Sequence, residues 1–288
     1  MRISMNFNCS KPLISVVVAV YNGASTLQQC IDSVASQTLP DVELIMVDGG
    51  STDGSVDLLV ANESQLSYWI SEPDTGIYNA WNKALSHATG EWICFLGADD
   101  YLWSKDALAE MAAVLKTLPR ETQVAYGQVM LLGVGDAPLY AVGAPYQLKP
   151  GERVDVMGLP PHPGLMHRRA VFDERGGFDE SFRIAGDAEL LMRELQRAPA
   201  CFIPGVIIAG MRQGGISSKP SNILKSLQEL RRIQQKHRIR WPGVALTLAR
   251  LRASLRWILW NVMGERLTRR ALDFGRKVLG KPPYWTQT

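Results

Sequence analysis

Between residues 13 and 96 the chain alternates short apolar runs with helix-patterned segments, and this alternation most narrows the folds open to it. Residues 13–20 include Ile14-Ser15-Val16-Val17-Val18-Ala19-Val20, a short, β-branched, nearly continuous run that predicts a buried strand. Tyr21-Asn22-Gly23 ends it, and Leu27, Cys30, Ile31 and Val34 then fall at helical spacing behind Ser25 as N-cap, predicting a helix over 25–36. The pattern repeats: strand 42–47, turn-rich Asp48-Gly49-Gly50-Ser51-Thr52-Asp53-Gly54, helix 55–62, short strand 67–71, helix 76–88 and strand 91–96. Such an order predicts a largely parallel sheet with helices on both faces.

The fourth run, Trp92-Ile93-Cys94-Phe95-Leu96, leads through Gly97-Ala98 into the adjacent acids Asp99-Asp100. In a parallel sheet the strand C-termini share one edge, where open α/β sheets bind ligands. Asp48, Asp74 and the Asp99-Asp100 pair should converge there. Oxygen-only ligands suit magnesium or manganese, and a hard cation at such an edge usually carries the phosphates of a nucleotide. Taken singly, Asp48, Asp53 and Asp74 would be ordinary caps and turn residues; their recurrence at one edge favours a site.

Composition sets the outer limits. With 288 residues, 46% hydrophobic and 20% charged, the chain can bury a large core. Cys9, Cys30, Cys94 and Cys201 form no CxxC pair, so neither zinc nor a disulfide framework is indicated and a reducing compartment is expected. Polar residues Asn6, Asn8, Ser10 and Lys11 break up the N-terminus, which does not read as a signal peptide. The net charge of +3 hides a division: residues 219–288 carry 16 Lys and Arg against 3 Asp and Glu, and residues 1–218 carry 15 against 25. A domain over 1–218 (nucleotide-binding half 12–104, acceptor half 105–218) is therefore expected, followed by a basic helical extension over 219–288. The acceptor half shows a helix over 105–118, strands 124–132 and 139–142, a helix over 187–196, a strand over 201–208 and a Gly-rich stretch over 213–218.

Five segments in order, ISVVVAVYN (14–22), VDGGSTDGS (47–55), EPDTGIYNAWNKA (72–84), GEWICFLGADD (90–100) and residues 176–187, resemble the signatures of family 2 glycosyltransferases. The resemblance covers residues 12–218 and points to bacterial exopolysaccharide, O-antigen and colanic-acid-type enzymes. It implies a GT-A fold, a nucleotide-diphospho-sugar transferase of Rossmann-like α/β type whose mixed sheet is flanked by helices. It also implies inverting transfer of a sugar from a nucleoside diphosphate donor, a UDP-sugar first, to a glycan or polyprenyl-linked acceptor. Tyr21, Asn22, Asp48, Asp74, Asn82 and Asp99 would bind the donor, and Asp99 and Asp100 would hold Mn2+ or Mg2+. Asp187, at the start of a helix, matches the general base, with Glu189 the alternative. His162 and Trp81, together with Glu189, are candidates for acceptor or phosphate contact, and Arg168 and Arg169 are possible diphosphate cations. Two positions depart from the family pattern. Gly97 replaces the first acid of the metal motif, which leaves room for a non-catalytic nucleotide-sugar-binding protein, and Trp81 stands where relatives have an arginine that holds the base.

In the extension, residues 221–238 read as a charged helix. Residues 244–263 form a second helix with Leu248, Leu251, Leu255, Ile258, Leu259 and Val262 on one side. Arg250, Arg252 and Arg256 would each add about 2.5–3.5 kcal/mol to a bilayer span, so a helix lying in an anionic membrane surface is expected, with Trp241, Trp257 and Trp260 at headgroup depth. The alternative is a helical pair packed on the body or on a second subunit. With its charge tied to an apolar stripe, the tail is not expected to bind nucleic acid. The expected place is cytoplasmic, peripheral on the inner face of the plasma membrane.

Overall fold

The computed structural model describes residues 11–146, 156–213, 215, 220–278, 280 and 285–286. Most of the expected Gly-rich stretch, Gly214 and residues 216–218, lies outside them. The first half runs β1 (Ile14–Val20), α1 (Ala24–Ala35), β2 (Val42–Asp48), α2 (Ser55–Ala61), β3 (Tyr68–Ser71), α3 (Ile77–Leu85) and β4 (Trp92–Gly97). The second half runs β5 (Tyr101–Leu102), α4 (Ala107–Leu115), β6 (Val124–Leu132), β7 (Pro138–Val142), β8 (Leu165–Arg168), α5 (Ala170–Arg175), α6 (Gly186–Leu195) and β9 (Cys201–Arg212). Three helices follow: α7 (Pro220–Lys236), α8 (Val244–Met263) and α9 (Glu265–Val278).

These elements build one mixed sheet in the order β3-β2-β1-β4-β8-β6-β9-β5, with β7 paired to β6. Its first four strands are parallel, and β8 joins antiparallel to β4. The β-branched residues of β1 explain its central place: Ile14, Val16, Val17 and Val18 are fully buried because apolar side chains cover both faces. On one face Leu27, Cys30, Ile31 and Val34 of α1 pack with Val16, Val18 and Leu96; on the other, Val17, Ile45 and Phe95 meet α3 and α6. Register aligns Val20 with Asp48, Asp48 with Ser71, and Ala19 with Gly97, so the four loops that follow leave one edge together.

The boundary expected at 218/219 does not coincide with a break in packing. Ile233 of α7 and Ile239 just beyond it are buried in the same cluster as Phe178, Phe182 and Leu191, so α7 is part of the body. Leu246 and Ala253 of α8 are buried instead against Leu227, in a small separate cluster with Ile223, Leu224 and Leu230. No helix among the described residues is long and apolar enough to cross a membrane.

Candidate active site

Four loops are laced together along the strand edge. Asn22, held at φ 50°, donates its amide to the Ser51 hydroxyl at 2.7 Å and accepts from the Thr52 amide at 3.0 Å. Asp48 is fully buried; its Oδ2 accepts from the Gly50 and Ser51 amides and the Ser71 hydroxyl at 3.0, 2.9 and 2.7 Å, and its Oδ1 accepts from the Ser51 hydroxyl. Asp48 therefore braces the loop that a donor would meet. Asp74 accepts from the Gly76 amide at 2.7 Å, and its Oδ2 lies against the place where a Cβ on Gly49 would stand. Only glycine leaves room for that carboxylate. Asp53 bonds the Ala24 amide at 2.9 Å, across the start of α1, and the Ser55 hydroxyl; the latter leads in holding its carboxyl below the usual range. Tyr21, at 69% exposure, presents its ring beside these loops.

The acid pair leaves β4 in a tight turn, with the Asp100 amide donating to the Gly97 carbonyl at 3.0 Å. A Cβ on Gly97 would meet Asp99 Oδ1 at 2.6 Å and Asp100 Oδ2 at 3.0 Å. Gly97 is thus the position over which the two carboxylates converge, and an acid there would displace them. Asp100 is buried, and burial, then the neighbouring Asp99 charge, pushes its carboxyl well above the usual range. Two converging oxygen donors held against their own repulsion fit a hard cation, whose remaining ligands would be phosphate oxygens and water. Among the described residues no group of three or more His, Cys, Asp or Glu is gathered as a metal site. Arg212, at the end of β9 and not singled out in the sequence, organises the surroundings. Its backbone amide donates to Asp100 at 3.1 Å, its guanidinium to the Asp99 carbonyl at 2.6 Å, and the same guanidinium grips Asp136 through both carboxylate oxygens.

Asp187 occupies the first turn of α6, where its Oδ1 accepts from the Tyr78 hydroxyl of α3 at 3.3 Å. Burial raises its carboxyl above the ordinary range. Burial and the Asp187 charge together raise Tyr78 well above the phenol range, so its hydroxyl remains a donor. The Arg183 guanidinium lies over Gly76, with Nη1 3.1 Å from where its Cβ would be, and so joins this region to the Asp74 loop.

Several candidates have other work. Glu189 is fully buried and paired with Arg193 at 3.0 Å and Lys236 at 2.8 Å, with His237 at 3.7 Å. Burial alone would raise it; bonds from His237 and Lys236 and the Arg193 charge outweigh that and lower it. A carboxylate held by these cations neither takes a proton readily nor binds phosphate, so Glu189 supports the fold. The Asn82 amide bonds both the carbonyl and amide of Phe178, at 3.0 and 2.8 Å, and the Glu180 carboxylate at 2.8 Å, bracing the approach to α6. Trp81 is buried among Tyr78, Phe95, Phe178 and His162, as core. Burial, then the nearby His167, holds the His162 ring well below its usual pKa, so it is a neutral stacking partner and not a phosphate-binding cation. Arg168 pairs with Glu91 and stacks over Trp92, at the start of β4 and away from the acid pair; Arg169 pairs with Asp173.

The sequence profile for Glycosyl transferase family 2 matches residues 15–139. A PGL/p-HBAD biosynthesis glycosyltransferase of Mycobacterium bovis (strain BCG / Pasteur 1173P2) is 28% identical over 85% of this chain and 97% of its own length. An uncharacterized glycosyltransferase of Mycobacterium tuberculosis (strain ATCC 25618 / H37Rv) is 30% identical over 64% of this chain and 69% of its own length. Among solved structures, the mannosyltransferase PcManGT from Pyrobaculum calidifontis in complex with GDP-Man and Mn2+ superposes with a TM-score of 0.60 at 18% identity, covering 96% of this chain and 83% of that one. S. aureus TarS 1–349 in complex with UDP-GlcNAc superposes at 0.59 and 20% identity, covering 76% of this chain and 66% of that one. The expected GT-A fold is thereby established, and the chain belongs to the family 2 glycosyltransferases.

Proposed function

We propose that this glycosyltransferase performs a metal-dependent, inverting transfer from a nucleoside diphosphate sugar, UDP-linked in the first instance, to a glycan or polyprenyl-linked acceptor of the bacterial cell surface. The observation that carries it is the pair of separately built carboxylate centres: two converging acids at the end of β4, and Asp187 beside a protonated phenol at the start of α6. Tyr21 offers a face for the nucleobase, while Asp48, Asn22 and Asp74 hold the donor-side loops in shape. Asp99 and Asp100 would hold Mn2+ or Mg2+, which supplies Lewis-acid stabilisation of the diphosphate leaving group. Asp187 accepts the proton of the acceptor hydroxyl as that oxygen bonds the anomeric carbon and the sugar–phosphate bond breaks. Because the Asp187 carboxyl is raised by burial, activity should fall on the acid side as it becomes protonated. Solved neighbours bound to UDP-GlcNAc and to GDP-Man with Mn2+ support the donor and metal classes.

The partner surface is an anionic membrane. On α8, Val244, Leu248, Leu251, Leu255, Ile258 and Val262 are all exposed and lie within an arc of about 80°, opposite the face that packs on α7. Exposed Arg252 lies beside this stripe, about 40° from its edge, so charge adjoins the apolar area. Peripheral attachment to the cytoplasmic leaflet would bring the site to a lipid-linked acceptor. Nucleoside diphosphate release in manganese tests the chemistry: Asp187→Asn should lose about 10²- to 10⁴-fold in kcat, and Asp99→Ala and Asp100→Ala should require more metal. Unchanged activity in all three variants would remove the mechanism.

A further inference from the structure

Immediately before Asp187, three consecutive backbone amides point at a single carboxylate from the C-terminal segment. Glu229, the only acid of α7 and 7% exposed, accepts from the Arg183 amide through Oε1 at 3.0 Å and from the Ile184 and Ala185 amides through Oε2 at 2.9 Å each. Ala185 is the N-cap of α6, and its methyl group cannot cap the helix. From 44 residues away Glu229 holds the amide of the Ala185 N-cap and the two amides before it, just ahead of the first turn, as an anion near the positive end of the helix dipole. Two further contacts fix α7 against the same segment. Arg232 stacks over Phe182 at 4.2 Å and donates to the Ser181 carbonyl at 3.1 Å, and Lys236 reaches Asp179 at 2.7 Å. A helix needing only stability could have taken Ser, Asp or Asn at its own N-cap. Here the segment that leads into α6 is instead held by another helix, so the entry to its first turn is tied to α7.

We propose that Glu229 is a positioning residue for sugar transfer: by gripping the 183–185 amides it sets where the Asp187 carboxylate stands against the acceptor hydroxyl. This rests on Asp187 being the general base. Glu229 acts through Asp187 and touches neither donor nor acceptor. Its charge also faces Asp187 and helps raise the Asp187 carboxyl, after the larger effect of burial. The Tyr78 hydroxyl on α3 also meets Asp187; two residues on, Glu189 of α6 is paired with Arg193, with Lys236 of α7 and, at longer range, with His237 just past it.

The test uses the full-length enzyme with its donor and a divalent metal, and reads kcat, donor KM, the acidic limb of the rate profile and the melting temperature. Glu229→Gln keeps the volume and removes the charge. It should lower kcat by about 10- to 100-fold, the cost of roughly 1 Å of misplacement, with donor KM unchanged and the acidic limb moved to lower pH. Glu229→Asp keeps the charge but withdraws the oxygens by one methylene; it should lower kcat with the limb unmoved. A wild-type kcat per folded molecule and an unshifted limb in both variants, beside an inactive Asp187→Asn, overturns the positioning role alone. A fully active Asp187→Asn overturns the base assignment itself.

Discussion

Two neighbouring helices of the basic tail, α7 and α8, have opposite fates. Both carry arginines and an apolar stripe, yet α7 turns its stripe into the catalytic body, where Ile233 is 0% exposed, and α8 leaves its stripe in the open, with Leu251 at 63%. The difference lies in a few polar residues. In α7, Glu229, Arg232 and Lys236 each have a partner between residues 179 and 189. In α8, Arg250 and Arg252 are exposed, and Arg252 lies beside the apolar stripe. Net charge and amphipathicity alone do not separate a helix whose apolar side is buried against the body from one whose apolar side stays exposed; the ties from Glu229, Arg232 and Lys236 to residues 179–189 do.

Truncation is the harshest way to break this contrast. A chain ending at residue 218 loses α7 and bares the Phe178, Phe182 and Leu191 surface that Ile233 covers, so it should fail to fold cooperatively or to turn over donor. One ending at residue 243 should keep a cooperative unfolding transition and donor turnover while losing cosedimentation with anionic vesicles. Equal behaviour of the two truncations would erase the distinction. Single substitutions sharpen it. Ile233→Ala should cost about 2–5 kcal/mol in urea unfolding, the range for a buried aliphatic, whereas Leu251→Ala should stay within about 0.5 kcal/mol. On vesicles the ranking reverses: Leu251→Asp should weaken binding by about 10-fold or more, since burying one leucine side chain is worth about 1.5–3 kcal/mol, and Ile233→Ala should bind as wild type does.

The first half of the fold was legible because its signals are local. Continuous apolar runs gave β1, β2 and β4 nearly to the residue, and the acid pair is contiguous in sequence. The strand β8 and helix α5 were not foreseen, because Leu165-Met166-His167-Arg168 carries polar residues that burial would ordinarily exclude. His167 is buried only because Glu194, 27 residues on, bonds its Nδ1 at 2.9 Å. The same non-locality explains the site. Glu189 stands at a base-like place in the sequence, but Lys236 and His237, more than 40 residues away, hold it, and no local pattern links Glu229 to the 183–185 amides. Gly97 read as a missing acid; the structure makes it the gap into which two acids lean.

The smallest effect is the dependence of the α7 contact on pH. Burial alone would raise the Asp179 carboxyl, but bonds from Lys236 and from the Ser181 hydroxyl and amide outweigh it and hold the group at about 2. A depressed carboxyl stabilises the fold fully above its unfolded value, about 3.9, and loses that contribution as pH falls through about 2. Since Lys236 is 45% exposed, solvent screening limits the contribution to about 1 kcal/mol. Asp179→Asn should therefore be less stable than wild type by about that amount at pH 7, with the gap narrowing between pH 4 and pH 2. Arg252→Gln on α8, whose parent residue is exposed, should show no such gap at either pH. Urea unfolding of the three proteins at pH 7 and pH 3 decides it: a gap for Asp179→Asn that is the same at both would mean that the Lys236 contact adds nothing to how α7 is held.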